Sequence, residues 1–174
     1  MKKAVFLDRD NTLIKDPGYS HDPQGIEFIE GAIEALKLLH QNNFLLIIIT
    51  NQSGIGRGIF SLKELEAVHK RLNELLTEKG IPLAGIYYCP HHPDDNCVCR
   101  KPKPYLIHQA AKEHDIDLAK SFLIGNDLRD MQTGKDAGVK TISVFLNEPP
   151  DNNLIDFNAG NLYEATKWIL KNTL

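Results

Sequence analysis

The chain is poor in sulfur and in tryptophan, with three cysteines, two methionines and one tryptophan in 174 residues. An odd cysteine count excludes a fully paired disulfide framework, and a chain of this length can rest on one hydrophobic core instead. Positive charge is not in excess either. The formal net charge of −3 argues against a general binder of phosphate backbones, so any anionic ligand must meet cations gathered locally. Long apolar runs are missing as well. Phe44–Ile49 falls far short of a bilayer span, and the run from Ala4 to Leu7, though preceded by two lysines, is cut off by Asp8 before it could form the apolar region of a signal peptide. There is no internal repeat and no low-complexity tract. These absences predict a soluble, cytoplasmic, monomeric protein that binds neither nucleic acid nor membrane, with residues 1–174 forming one domain.

What is present is an alternation of two patterns. Short β-branched runs at Lys3–Leu7, Phe44–Ile49, 85–89 (GIYYC), 121–125 (SFLIG) and 140–145 (KTISVF) suit buried parallel strands. Helical spacing lies between them. Ser61 and Glu64 have the spacing of a capping box, Leu65, Val68, Leu72, Leu75 and Leu76 follow on one face, and Gly80 stands where a left-handed stop costs least. Further helices are predicted from Gly31 to Gln41, from Pro104 to His114, from Arg129 to Asp136 and from an Asn161 cap to Leu170, with Pro149–Asn153 as a turn-rich loop. Strands alternating with helices give an α/β fold, a doubly wound parallel sheet whose ligands gather beyond the carboxyl ends of its strands.

Polar clusters sit at those ends. Asp8 and Asp10 follow the first strand two residues apart, and in extended geometry both point to one side. Like charges that close repel unless a cation lies between them, and magnesium with oxygen ligands suits the pair. A carboxylate beside such a cation can attack phosphorus while its neighbour donates a proton. Thr50 and the glycine-containing loop of TNQSGIGRG can hold phosphate oxygens, Arg100 and Lys101 supply positive charge, and Asn126, Asp127 and Asp130 offer oxygen ligands. Each cluster alone has an ordinary reading as a turn or a solvated surface pair. Four of them at strand ends in one small parallel-sheet protein point to phosphoryl chemistry.

All three cysteines and two of the seven histidines fall in YYCPHHPDDNCVCRKPKP, residues 87 to 104. Cys89, Cys97 and Cys99 with His91 or His92 make a Cys₃His set, which fills a tetrahedral structural zinc site and leaves no open coordination position. Such a site would anchor the loop and preorganise Arg100 and Lys101 directly after it.

DRDNT, TNQ, a motif lysine and GND resemble, in this order and over nearly the whole chain, the four motifs of haloacid dehalogenase (HAD) superfamily phosphatases. GYSHDPQGIEFIEGAIEAL and TNQSGIGRGIF are similar to the heptose-1,7-bisphosphate 7-phosphatase family, of which the histidinol-phosphate phosphatases are relatives. The resemblance implies a magnesium-dependent phosphomonoesterase acting through an aspartyl-phosphate on a sugar phosphate, with no separate cap domain because no long insertion follows the first or second motif. It implies Asp8 as nucleophile and Asp10 as general acid and then base, with Thr50 and Lys101 stabilising the transferring group. Asp16 to Tyr19, Asn51, Gln52, Ser53 and Arg100 would contact substrate. Magnesium would lie on Asp8, the carbonyl of Asp10 and Asn126, with Asp127 as the alternative, and zinc on Cys89, His91, Cys97 and Cys99. The chain departs from the family at Asn126, where Asp is usual, at Asp127, where Lys is common, and at Tyr105, where Gly is usual and a tyrosine would narrow the entrance.

Other histidines have plainer readings. His69, His108 and His114 fall in predicted helices as surface or partly packed residues, and Trp168 belongs to the core. The alternatives to a heptose phosphatase are another small phosphomonoesterase, such as one acting on histidinol phosphate, and a non-catalytic phosphoacceptor or zinc-dependent binding module.

Overall fold

The computed structural model describes residues 1–144 and 153–173. Five strands alternate with helices: β1 (Ala4–Leu7), α1 (Ala32–Gln41), β2 (Leu45–Asn51), α2 (Leu62–Glu78), β3 (Gly85–Cys89), α3 (Tyr105–His114), β4 (Phe122–Gly125), α4 (Leu128–Ala137) and β5 (Lys140–Val144). A short edge strand β6 (Phe157–Ala159) and helix α5 (Leu162–Lys171) follow. All strands are parallel, in the order β3-β2-β1-β4-β5-β6. Among the described residues this is the one sheet of three or more strands, and no cap domain accompanies it.

Alternation along β1 explains its unbroken apolar sequence. Val5 and Leu7 join a cluster with Leu36 and Leu39 of α1, Leu72 of α2 and Ala165 and Ile169 of α5. Ala4 and Phe6 face the other way, against Leu106, Ile107 and Ala110 of α3 and Ala137 at the end of α4. Both faces of the sheet are therefore covered, and β1 carries no polar residue until it ends at Asp8.

Local signals set the boundaries. Ser61 Oγ accepts from Glu64 N while Glu64 reaches back to Ser61 N, closing the predicted capping box, and Gly80 takes φ +73° just beyond the end of α2. Asn161 caps α5 through Glu164 N. Three details differ from expectation. β2 runs on through Thr50 and Asn51, because pairing with β3 continues to Cys89. Pro104 is the residue before α3 rather than its first helical position. β6 has no apolar run to announce it and pairs only at the sheet edge, from Ile142 to Val144 of β5. Phe145 and residues 149–152 of the predicted loop at 149–153 lie outside the described residues. No helix among those described is long and apolar enough to cross a membrane.

The order reverses at β1: the chain steps to β2 and β3 on one side and returns to β4, β5 and β6 on the other. Ligands in such sheets sit at this switch point, beyond the carboxyl ends. The chain turns sharply there, with Asn11 at φ +57° and the Arg9 carbonyl accepting from Leu13 and Ile14. Asparagine tolerates this left-handed conformation better than most residues.

Candidate active site

A polar cavity of about 320 Å³ opens beyond β1, β2 and β4. Asp8, Asp10, Asn11 and Asp16 line one side, Thr50, Asn51 and Ser53 another, Arg100 and Lys101 a third, and Asn126, Asp127, Arg129 and Asp130 the last. Eleven residues singled out from the sequence thus meet in one space, drawn from four segments spread between Asp8 and Asp130. Tyr19 and Gln52 do not line it. Tyr19 packs near the Phe60 ring, at 6.4 Å, on a smaller neighbouring hollow. Gln52 is buried beneath the cavity, where its Nε2 donates to Asp10 Oδ2 at 2.8 Å and to Thr50 Oγ1 at 2.9 Å. Tyr105 stands on α3 beside His108 and Lys112 and narrows nothing.

Lys101 forms the floor. Its Nζ lies 2.6 Å from Asp8 Oδ1, 2.6 Å from Asp130 Oδ1 and 3.0 Å from the Ile49 carbonyl, and it is 4% exposed. Asp130, read from the sequence as an oxygen ligand, is spent on this contact and on the backbone N–H of Asp127. Gly125 makes the approach possible, because a Cβ there would lie 2.4 Å from Asp130 Oδ2. Asn51 clasps the lysine's backbone, donating to its carbonyl at 3.3 Å and accepting from its N–H at 3.0 Å, so its amide positions Lys101 instead of facing a ligand. Asp16 Oδ1 similarly takes the N–H groups of Gly18 and Ser20, shaping its own loop.

Two carboxylates share one ammonium, and the imbalance shows at Asp8. Burial first, then Asp130 and Asp10, pushes its carboxyl up to about 7 against the pull of Lys101. Burial would lower Lys101, but Asp130 and Asp8 outweigh it and hold the ammonium above its usual value. Arg129, missed in the sequence reading, holds Asp127 through Nε at 2.9 Å and Nη2 at 2.8 Å, taking that carboxyl down to about 2. Asp127 also caps α4 by accepting from Arg129 N. Asn126 has neither partner. Arg100 Nη1 is buried without one among the described residues. A site with an excess of carboxylate around Asp8, a free amide oxygen beside it and an unpaired guanidinium N–H fits a hard cation together with an oxyanion.

The Cys/His loop closes as a cluster. The ligand atoms of Cys89, His91, Cys97 and Cys99 lie within 4.8 Å of one another, His91 Nδ1 being 3.2 Å from Cys99 Sγ and Cys89 Sγ 3.5 Å from Cys97 Sγ. Tetrahedral bonds of about 2.3 Å to sulfur place ligand atoms about 3.8 Å apart, so this cluster can hold a metal ion. His92 is not part of it; its Nδ1 accepts from Asp94 N. The loop abuts TNQSGIGRG, where a Cβ on Gly56 would lie 2.2 Å from His92 N, and Gly56 N donates to the Pro90 carbonyl.

Of the histidines given plain readings, His69 is buried on α2 and meets Arg9, while His114 contacts the Tyr87 hydroxyl. Trp168 packs on the core, stacked on Phe157.

A family model described as polynucleotide kinase 3 phosphatase matches residues 3–141. The chain is 46% identical over 156 residues to the D-glycero-beta-D-manno-heptose-1,7-bisphosphate 7-phosphatase of Pasteurella multocida (strain Pm70), covering 86% of this chain and 85% of that one. It is 45% identical over 168 residues to the enzyme of that name from Helicobacter pylori (strain J99 / ATCC 700824), covering 96% and 97%. The crystal structure of D,D-heptose 1,7-bisphosphate phosphatase from B. bronchiseptica, complexed with magnesium and phosphate, superposes with a TM-score of 0.88 at 30% identity, covering 98% of this chain and 99% of that one.

Proposed function

Because this chain belongs to the polynucleotide kinase 3 phosphatase family of HAD phosphatases, we propose that it removes the 7-phosphate of D-glycero-β-D-manno-heptose 1,7-bisphosphate. The observation that carries the chemistry is the buried Asp8–Lys101 contact at 2.6 Å in a cavity that also holds Arg100. The choice of sugar rests on the names of the relatives that span most of the chain.

Asp8 is the nucleophile: one carboxylate oxygen attacks phosphorus, the bond from phosphorus to the ester oxygen breaks, and Asp10 gives its proton to that leaving oxygen. Asp10, now ionised, takes a proton from water; the water oxygen attacks phosphorus, the bond to Asp8 breaks, and inorganic phosphate leaves. Thr50 accepts from Gln52, which leaves its own hydroxyl hydrogen to donate to a phosphoryl oxygen. Lys101 and the open Nη1 of Arg100 meet the other developing charges. Asp8, the Asp10 carbonyl and Asn126 would hold magnesium, which when bound offsets negative charge on the phosphoryl oxygens. Asn126 is preferred over Asp127 because the Asp127 carboxylate is already committed to Arg129 and the cap of α4. Zinc on Cys89, His91, Cys97 and Cys99 would fix the loop that carries Arg100 and Lys101. The protein is proposed to work as a cytoplasmic monomer on a small sugar phosphate. Five carboxylates in the cavity and a net charge of −3 count against a polynucleotide.

A phosphate-release assay decides it, with heptose bisphosphate, histidinol phosphate and a 3′-phosphorylated oligonucleotide side by side under magnesium titration. The heptose ester is expected to give the highest kcat/KM, with activity lost when magnesium is withdrawn. Preference for histidinol phosphate would replace the substrate, and a phosphorylated Asp8 that persisted for minutes would replace the enzyme by a phosphoacceptor.

A further inference from the structure

Asp10 must present a proton in one direction, and the structure surrounds its carboxylate with groups that fix that direction. Arg9 is completely buried, beside a partly exposed Asp10. Its Nε donates to Asp10 Oδ1 at 2.8 Å and its Nη2 to Oδ2 at 3.0 Å, a two-point grip that sets the plane of the carboxylate. Nη2 also reaches the Ser20 carbonyl at 3.3 Å. The remaining nitrogen, Nη1, lies 3.2 Å from His69 Nε2. An arginine only donates and keeps its charge, so Nε2 must be the acceptor and His69 a neutral imidazole with its proton on Nδ1. The surroundings agree: burial, and then the Arg9 charge, push His69 down to about 3, while the Tyr88 ring closes in at 5.4 Å. Without this acceptor a buried guanidinium N–H would have no partner, and the fork would be free to turn toward one.

The hydrogen-bond count identifies an atom. Asp10 Oδ2 accepts from Arg9 Nη2 and from Gln52 Nε2, which fills its lone pairs, whereas among the described residues Oδ1 accepts from Arg9 Nε alone. Oδ1 therefore has the place for a proton.

We propose that His69 and Arg9 are a positioning pair for Asp10, in which His69 of α2 holds the Arg9 fork in the plane of the Asp10 carboxylate and so aims the proton on Oδ1 at the leaving oxygen. This rests on the reading of Asp10 as general acid and base. Proton transfer depends steeply on placement: a shift of about 1 Å costs on the order of a hundredfold in rate.

The test uses the full chain as wild type, His69→Leu and His69→Gln, on heptose bisphosphate and on p-nitrophenyl phosphate. Leucine fills the space without an acceptor; glutamine restores one. The alkyl ester needs the proton for its leaving oxygen, while nitrophenolate leaves without it. His69→Leu is expected to lower kcat on the sugar ester about ten- to hundredfold with KM little changed, to leave the pre-steady-state burst rate of nitrophenolate near wild type, and His69→Gln to recover most of the loss. Equal loss in both variants, equal loss of the phosphorylation step on both esters, a loss confined to KM, or no loss at all would make His69 a packing residue and overturn the proposal. Should His69→Leu not fold, Arg9→Lys, which keeps the charge but not the fork, is read by the same ester comparison. A wild type active on another alkyl phosphate but not on the heptose ester would refute the substrate and leave the pair testable on that ester, whereas a wild type inert toward every ester would overturn both.

Discussion

The Lys101 ammonium lies 2.6 Å from Asp130 Oδ1, with both side chains out of solvent, and it is equally close to Asp8. One cation therefore serves two buried carboxylates, and of the two Asp8 is the one on which the proposed chemistry turns. The arrangement keeps Lys101 charged and leaves Asp8 short of positive charge until a second cation arrives.

Stability without magnesium should follow this shortfall. Burial pushes the Asp8 carboxyl up to about 7 in the folded chain from an ordinary 3.8, so between these pH values the folded protein holds a proton that the unfolded one has released. Lowering the pH from about 8 to about 6.5 should therefore raise the Tm of the magnesium-free wild type relative to Asp8→Asn. The comparison cancels His69, whose lowered pKa acts with the opposite sign below its unfolded value. Parallel Tm profiles for the two proteins would show that Asp8 is not raised.

Asp8→Asn removes the nucleophile but leaves Lys101 its contact with Asp130. Phosphate release should fall about a thousandfold or more while the circular dichroism spectrum and cooperative melting persist. Turnover retained in that variant would rule out a covalent aspartyl-phosphate.

Asn126 and Asp127 compete for the role of metal ligand, and their partners separate them. Asn126→Asp should lower the magnesium concentration for half-maximal activity several-fold by adding a charged oxygen. Asp127→Ala should leave that concentration within about twofold and cost about 1 kcal/mol of stability through the lost cap of α4. The reverse pattern would make Asp127 the ligand.

Cys97→Ser should reduce bound zinc from about one ion per chain and lower the Tm, since it removes one of four ligands. Metal analysis and melting curves report both effects. Activity should fall in kcat as well as in kcat/KM, because Arg100 and Lys101, which meet the developing phosphoryl charge, follow the cluster directly. Full metal content in the variant would exclude Cys97 from the site.

Gly56→Ala tests the contact between the two loops. Its Cβ would meet the His92 backbone at 2.2 Å, and backbone cannot turn aside as a side chain can. A destabilisation of about 1–3 kcal/mol is expected, measured by urea unfolding. An unchanged midpoint would mean that the loops part easily.

The apolar runs and cap residues marked five strands and five helices because each depends on neighbours close in the chain. The clusters at Asp8, Thr50 and Asn126 were legible for the same reason, each standing where a strand stops being apolar, whereas Lys101 was legible from the Cys/His loop directly before it. β6 was not legible, because three residues at a sheet edge carry no periodicity. Asp130 was read as a metal ligand from its residue type, yet Gly125 lets it lie against Lys101. Arg9 sat in plain view between two aspartates, but nothing nearby in the chain announces His69, sixty positions later.

The sequence by itself determined the element order, the parallel α/β layers and the chemical types gathered at strand ends, since these follow from spacing and side-chain character. Only the tertiary structure decided which charge pairs with which: Lys101 with both Asp8 and Asp130, Arg129 with Asp127, and Arg9 with Asp10 and His69. Pairing of this kind depends on distance in space and on exclusion of water, and segments far apart in the chain acquire both only when the sheet brings their ends together.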